Sequence, residues 1–76
     1  MPYKIEFTNH YKIFHESEVP KDLAIKVILT GKRTRIGKDL FKYISKSKKQ
    51  VIYVLCRFDY KNQKLIVINA KKARRK

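Results

Sequence analysis

The sequence predicts an α+β protein in which one helix packs on an antiparallel sheet of about four strands, in the chain order β-α-β-β-β. Residues 3–8 alternate apolar and polar side chains, the period typical of a half-buried strand. Apolar residues recur at helical spacing between Pro20 and Gly31. Two segments dense in β-branched and aromatic residues, 51–59 and 65–70, flank a short polar turn and predict a hairpin. A helix on one face of a small sheet is the simplest way to bury these patterns.

Both ends of the predicted helix have a physical reason. Pro20 suits the first helical turn because its fixed φ is already helical and its missing N–H would lack a partner there. Gly31 is a natural stop because glycine adopts the left-handed conformation without steric conflict. We expect the core side of this helix to consist of four residues: Leu23, Ala24, Val27 and Ile28.

The other segments are predicted from composition and propensity. A polar stretch at 9–17 follows the first strand and contains both histidines. The later segments should be, in order, a basic loop at 31–38, a strand at 40–45, a polar turn at 46–50, the two hairpin strands, and a charged tail at 71–76 that frays at its end. A chain of 76 residues makes one domain, so residues 1–76 should share a single core.

The strand beginning at residue 51 is apolar on both faces. One face carries Ile52, Val54, Cys56 and Phe58, and the other carries Val51, Tyr53, Leu55 and Arg57. A single helix covers only one face of a sheet. The second face therefore needs a second chain, the N-terminal segment, a ligand or the flanking loops to cover it.

Positive charge is concentrated in the last two thirds of the chain. The net charge is +14, yet residues 1–30 hold as many acidic as basic side chains. The whole excess therefore lies in residues 31–76. A lysine-rich composition alone would spread the charge evenly, whereas a concentrated excess gains free energy by releasing counterions from phosphates. The charge pattern thus predicts a polyanion-binding surface. We expect the partner to be a nucleic acid, RNA in preference to DNA.

The same composition excludes several classes of protein. No apolar run approaches the roughly 20 residues of a membrane span, and we expect no membrane partner. One cysteine cannot form an internal disulfide, so a cytoplasmic location is expected. His10 and His15 lie near Glu16 and Glu18, but the spacing and the lack of a second cysteine disfavour a metal site, and no cofactor is expected.

Phosphate contacts are expected from the basic loop, the polar turn and the tail, and base stacking from exposed tyrosines. The predicted nucleic-acid-binding residues are Lys32, Arg33, Arg35, Lys38, Tyr43, Lys46, Lys48, Lys49, Tyr53, Lys71, Lys72, Arg74 and Arg75. Cleavage of RNA by its 2′-hydroxyl would need a proton acceptor, a proton donor and positive charge at the phosphate. Histidine, lysine, arginine and tyrosine side chains supply these roles without a metal, but any basic domain with tyrosines offers them.

One layout in the sequence resembles a known family. The first strand ends at His10, a helix closes on Gly31, and a hairpin leads into the basic segment 67–72. This arrangement resembles the RelE/ParE toxin superfamily, in particular its small one-helix members. The resemblance implies a metal-independent ribonuclease that cuts messenger RNA and is silenced by an antitoxin, with His10 and Arg57 as the catalytic pair. Two features depart from the pattern: Phe14, His15 and Glu16 stand where those relatives carry an arginine, and no tyrosine follows Tyr60.

Three functions are therefore open from the sequence. The first is nucleic-acid binding without catalysis, and the second is RelE-like RNA cleavage. The third is an interaction protein whose open sheet face binds an acidic partner, such as an antitoxin, or a second copy of the chain.

Overall fold

The structure, a computed structural model, describes residues 4–74 and contains five strands and two helices. In chain order the elements are β1 (Lys4–Phe7), α1 (Asn9–Phe14), α2 (Lys21–Thr30), β2 (Lys32–Arg35), β3 (Leu40–Lys46), β4 (Gln50–Asp59) and β5 (Lys64–Arg74). The strands form one sheet in the order β1-β5-β4-β3-β2. The α+β class is confirmed, whereas a single helix and a wholly antiparallel sheet of four strands are not: β1 pairs in parallel with β5.

Helix α1 was not predicted because its six residues, fewer than two turns, are too few to show a helical repeat of apolar side chains. Thr8 caps it, with Oγ1 accepting a hydrogen bond from the Tyr11 N–H at 3.1 Å. Tyr11 is fully buried and its hydroxyl donates to the carbonyl oxygen of Val19, which is also buried. Burial, with a contribution from the charge of Glu16, raises the pKa of Tyr11 to about 12. The buried contact between Tyr11 and Val19, and not a periodic pattern in the sequence, holds α1 in place.

Helix α2 lies where the sequence predicted it, between Pro20 and Gly31, and buries Ala24, Val27 and Ile28. The reason given for the glycine was wrong. Gly31 has an extended backbone, with φ −80° and ψ 170°. Glycine is needed there for space, because a Cβ would lie 2.5 Å from the Val27 carbonyl oxygen and 2.7 Å from that of Ile44.

Half of the predicted basic loop at 31–38 is a strand. Lys32–Arg35 form β2, which pairs with β3 at the edge of the sheet. Charged side chains are typical of edge strands because they discourage further pairing with other chains. Pairing with β3 decides the structure here, since the local sequence has little strand propensity.

The core lies on one face of the sheet, beneath both helices. Strand β4 contributes Ile52, Val54 and Cys56 to it, and Tyr11 and Val27 come from the two helices. Strand β5 contributes Leu65, Val67 and Ala70. The register of β5 against β4 shifts between Leu55 and Cys56, so that Ile68 is the extra residue of a bulge. Cys56 is a core residue, and burial raises the pKa of its thiol to about 12.

The segment predicted to be a fraying tail continues strand β5. Lys71–Arg74 pair with Gln50–Tyr53 of β4, and the Lys72 N–H also donates to Glu18 Oε1 at 2.8 Å. Backbone pairing thus overrides the high charge of this segment. Arg75 and Lys76 lie outside the described residues. Within residues 4–74, both helices are too short and too polar to cross a bilayer.

Candidate nucleic-acid interface

A pocket lined by two arginines and four aromatic residues opens on the helical side of the sheet. Its volume is about 380 Å³, and its lining consists of Arg33, Arg35, Phe41, Tyr43, Phe58 and Tyr60. We call this the arginine–aromatic pocket. Five of the six residues come from β2, β3 and the end of β4, Tyr60 follows β4 directly, and neither helix contributes a lining residue.

Helix α2 is too short to cover the strands beneath it. Ten helical residues span about 15 Å, whereas the ten residues of β4 span about 33 Å. One end of the sheet therefore stays uncovered on the helical side. The pocket lies at that end.

Strand pairing brings the arginines into the pocket. Arg33 lies opposite Tyr43, and Arg35 lies opposite Phe41. Paired residues project to the same face of a sheet, and Phe41 itself lies opposite the core residue Cys56. Both guanidinium groups are therefore directed to the aromatic side of the sheet instead of to the opposite face.

Arg35 is held in a defined position. Its Nε donates to the Gly37 carbonyl oxygen at 3.1 Å, and its Nη2 donates to that of Lys38 at 2.8 Å. A guanidinium has five N–H donors in a rigid fork, so these two bonds fix its plane and leave donors for an anion. Such an arrangement suits a phosphate, which accepts paired, charge-assisted hydrogen bonds.

The aromatic side chains offer surfaces for a flat ligand. The guanidinium of Arg33 lies 5.3 Å from the centre of the Phe41 ring, a cation–π contact. The rings of Phe58 and Tyr60 meet edge to face, with their centres 4.9 Å apart. Tyr60 is 59% exposed and lies at the rim, so its ring can stack on a ligand.

No acidic residue lines the pocket, so its charge is positive. The nearby carboxylate of Asp39 forms an ion pair with Arg57 at 3.7 Å. Arg57 lies between Cys56 and Phe58 in β4 and therefore projects to the other face of the sheet.

The structure groups the predicted binding residues in three places. Arg33, Arg35 and Tyr43 share the arginine–aromatic pocket. Lys49, Lys72 and Arg74 line, with Gln50, a depression of about 340 Å³ at the opposite end of β4. A third depression, of about 370 Å³, lies on the face away from the helices. It is lined by Lys32 and Lys46 together with Thr34 and Ile44.

The remaining predicted residues have varied surroundings. Tyr53 lies half-buried on the face away from the helices, with Lys71 paired beside it. Lys38 contributes its carbonyl oxygen to Arg35, and Lys48 is exposed in the turn before β4. The expectation that Tyr43 is exposed for stacking was wrong: it is 6% exposed and belongs to the core, because its strand position faces α2. Arg75 lies outside the described residues.

The sequence analysis missed three pocket residues, Phe41, Phe58 and Tyr60. Phe41 and Phe58 project to the core face, and the sequence indicated for them only a position in a strand. A comparison of helix and strand lengths would have shown that part of this face stays uncovered. Tyr60 follows β4 by one residue, and no local pattern marks its position at the pocket.

The predicted catalytic pair is not brought together. His10 lies exposed in α1, where its Nε2 is 3.1 Å from His15 Nε2 and its ring contacts Phe14. Helix α1 packs on the core face, whereas Arg57 projects from the opposite face. The two side chains therefore lie on different sides of the sheet, which removes the geometric basis for their joint action. Among residues 4–74 no group of three or more histidine, cysteine or acidic side chains is placed to hold a metal ion.

Comparisons with protein-family models, with curated proteins and with solved structures found no match to this chain.

Proposed function

We propose that this protein binds single-stranded nucleic acid, RNA in preference to DNA, and holds one unstacked nucleotide in the arginine–aromatic pocket. The observation that carries this proposal is the pocket's composition: two guanidinium groups and an exposed tyrosine ring, in the part of the chain that holds the whole excess charge. Unpaired bases are commonly recognised by stacking on aromatic rings and on guanidinium planes.

The size of the pocket supports a single nucleotide as the occupant. Pockets for small ligands span about 300–1,000 Å³, and this one, at about 380 Å³, lies near the lower limit. A base inside a duplex cannot enter such a pocket without leaving its stack. We therefore expect the protein to bind a single strand more tightly than a duplex of the same sequence.

Each kind of side chain has a role in this proposal. Arg35, fixed by the carbonyl groups of Gly37 and Lys38, holds a phosphate. Tyr60 stacks on the base, and Arg33 neutralises a second phosphate or stacks beside the base on Phe41. The six lining residues include no histidine, lysine or carboxylate able to exchange a proton near neutral pH. The proposed activity is therefore binding, not cleavage, and cut products from labelled RNA incubated in EDTA would contradict it.

The test replaces one exposed aromatic ring at a time. Tyr60→Ala should weaken the binding of a labelled single-stranded RNA by about 5- to 150-fold, because stacking on one aromatic ring contributes roughly 1–3 kcal/mol per base. Phe14→Ala is the matched control, since Phe14 is 65% exposed against 59% for Tyr60 but lies in α1, away from the pocket. Fluorescence anisotropy with single-stranded RNA, the same RNA as a duplex and the corresponding single-stranded DNA gives the three affinities. Equal effects of the two substitutions, or tighter binding of the duplex, would overturn the proposal.

A further inference from the structure

The face of the sheet away from the helices carries an apolar centre that neither helix covers. Ile44, Tyr53 and Leu55 lie at adjoining positions of β3 and β4 and are each half-buried. Val51 and Ile66 extend this patch along β4 and onto β5. Because both helices pack on the other face, nothing in residues 4–74 forms a second layer over it.

Lysines flank this apolar centre on both sides. One cross-strand row runs from Lys32 through Ile44 and Tyr53 to Lys71. Lys46 lies two residues beyond Ile44 in β3, and the ammonium group of Lys42 lies 4.6 Å from the Tyr53 ring centre. None of these four lysines forms an ion pair with another residue of 4–74.

The acidic residues on this face already have partners. Glu6 forms an ion pair with Lys64, with its Oε1 2.9 Å from the Lys64 Nζ. Asp59 accepts from the side chain of Asn62 at 2.9 Å, and that bond is the main cause of its lowered pKa. The positive charge of the four lysines is therefore not offset on this face.

The charge and the chemistry of the centre decide between the candidate occupants. A second copy of the chain would place the four lysines against the same four, in a protein of net charge +14. A nucleic acid would satisfy the lysines but would leave the apolar side chains of Ile44 and Leu55 against polar groups. An acidic protein segment with an apolar side satisfies both the lysines and the centre.

The dimensions favour an α-helix as that segment. Neighbouring strands lie about 4.8 Å apart, so Lys32 in β2 and Lys71 in β5, three strands away, are separated by about 14 Å. A helix with its side chains is about 10–12 Å across. A helix lying along β3 and β4 would set its apolar side on Ile44, Tyr53 and Leu55, with acidic residues on its two flanks beside the lysines.

We propose that the sheet face centred on Ile44, Tyr53 and Leu55 is a docking site for an acidic amphipathic helix of a partner protein. This site is separate from the arginine–aromatic pocket, which opens on the other side of the sheet. The two sites can therefore be occupied together.

The experiment uses the full chain and a synthetic peptide of about 18 residues with leucines along one side of a helix and glutamates on both flanks. A scrambled peptide of the same composition, which lacks the apolar side, is the control for net charge. Fluorescence anisotropy should show binding of the amphipathic peptide that is at least about tenfold tighter than that of the scrambled one. Comparable affinities would show attraction by net charge alone and would overturn the proposal, as would the absence of binding.

A pair of charge reversals locates the site. The double variant Lys32→Glu, Lys71→Glu should weaken peptide binding by at least about tenfold. Lys12→Glu, Lys26→Glu makes the same change of charge at exposed helix positions and should change the affinity by less than about threefold. Circular dichroism confirms the fold of both variants, and equal losses of affinity would overturn the proposed location.

Two further measurements test the other occupants. Saturating single-stranded RNA should leave the labelled peptide bound, and displacement of the peptide would assign this face to nucleic acid instead. Sedimentation velocity should show a monomer whose mass does not depend on concentration. A dimer that Lys32→Glu, Lys71→Glu alters would assign the face to a second copy of the chain.

Discussion

The fixed guanidinium of Arg35 allows geometry to be separated from charge in nucleic-acid binding. Two backbone carbonyl groups orient this side chain, at 3.1 and 2.8 Å. A lysine at the same position keeps the charge but cannot donate the same fork of hydrogen bonds to a phosphate, because its ammonium is a single point of charge on a flexible stem. We therefore compare Arg35→Lys with Arg35→Ala.

The expected magnitudes follow from the contacts. Hydrogen bonds to a charged group contribute about 1.5–3 kcal/mol, so Arg35→Ala should weaken single-stranded RNA binding by about 10- to 150-fold. Neutralising about six phosphates gives a slope of log affinity against log salt of roughly −4, and the loss of one contact makes the slope shallower by about 0.7. Arg35→Lys should lose about tenfold in affinity yet keep the slope of the unaltered protein.

The assay is an anisotropy titration of a labelled RNA of about 12 nucleotides, repeated between about 50 and 200 mM KCl. Arg57→Ala and Arg57→Lys are the matched controls, because Arg57 is also an exposed arginine with one nearby partner but projects to the opposite face. Their effect on affinity should stay within about threefold. If Arg35→Lys binds as tightly as the unaltered protein, or if Arg57→Ala weakens binding as much as Arg35→Ala, the inference of a pre-positioned phosphate ligand is wrong.

Three further predictions concern the fold. Tyr11→Phe should lower the free energy of unfolding by about 1–3 kcal/mol in urea titrations, because it leaves the buried carbonyl of Val19 without its donor; no change would mean that α1 does not dock as described. Removal of residues 71–76 should lower the free energy of unfolding by about 2–4 kcal/mol, because the backbone hydrogen bonds between this part of β5 and β4 are lost. Unaltered stability would show that this part of β5 contributes little. Cys56 should resist a thiol reagent at pH 9 to 10 until urea is added. Burial raises its pKa to about 12, so the folded protein keeps a proton that the unfolded chain releases, and stability should fall as the pH rises from about 9 towards 12. Rapid labelling of the folded protein would contradict that burial.

Much of the sheet and the longer helix could be predicted from local sequence. The alternation at residues 5–7 and the β-branched residues of 51–59 reflect burial on one or both strand faces, a period that any sheet imposes. The limits of α2 follow from Pro20 and Gly31, although the glycine is needed for close packing against Ile44 and not for its backbone angles. These features depend on residues close together in the chain, and such features can be predicted from a single sequence.

Strand β2 and the C-terminal part of β5 could not be predicted from local sequence. Lys32–Arg35 and Lys71–Arg74 consist mainly of charged residues, which favour solvent and have low strand propensity. They are strands because β3 and β4 offer unpaired backbone groups beside them, and pairing satisfies those groups. The parallel placement of β1 beside β5 depends likewise on a contact between the two ends of the chain.

The sequence by itself determined that the net excess of positive charge lies in residues 31–76 and that arginines, lysines and tyrosines are available for binding phosphates and bases. Only the tertiary structure decided which of them meet. Strand register places Arg33 and Arg35 beside Phe41 and Tyr43, while it places Arg57 on the other side of the sheet from His10. The physical reason is that successive strand residues alternate between the two faces of the sheet. A shift of one residue in strand register would exchange the faces, and one more turn of helix α2 would cover more of the sheet, so both decide which side chains share a pocket.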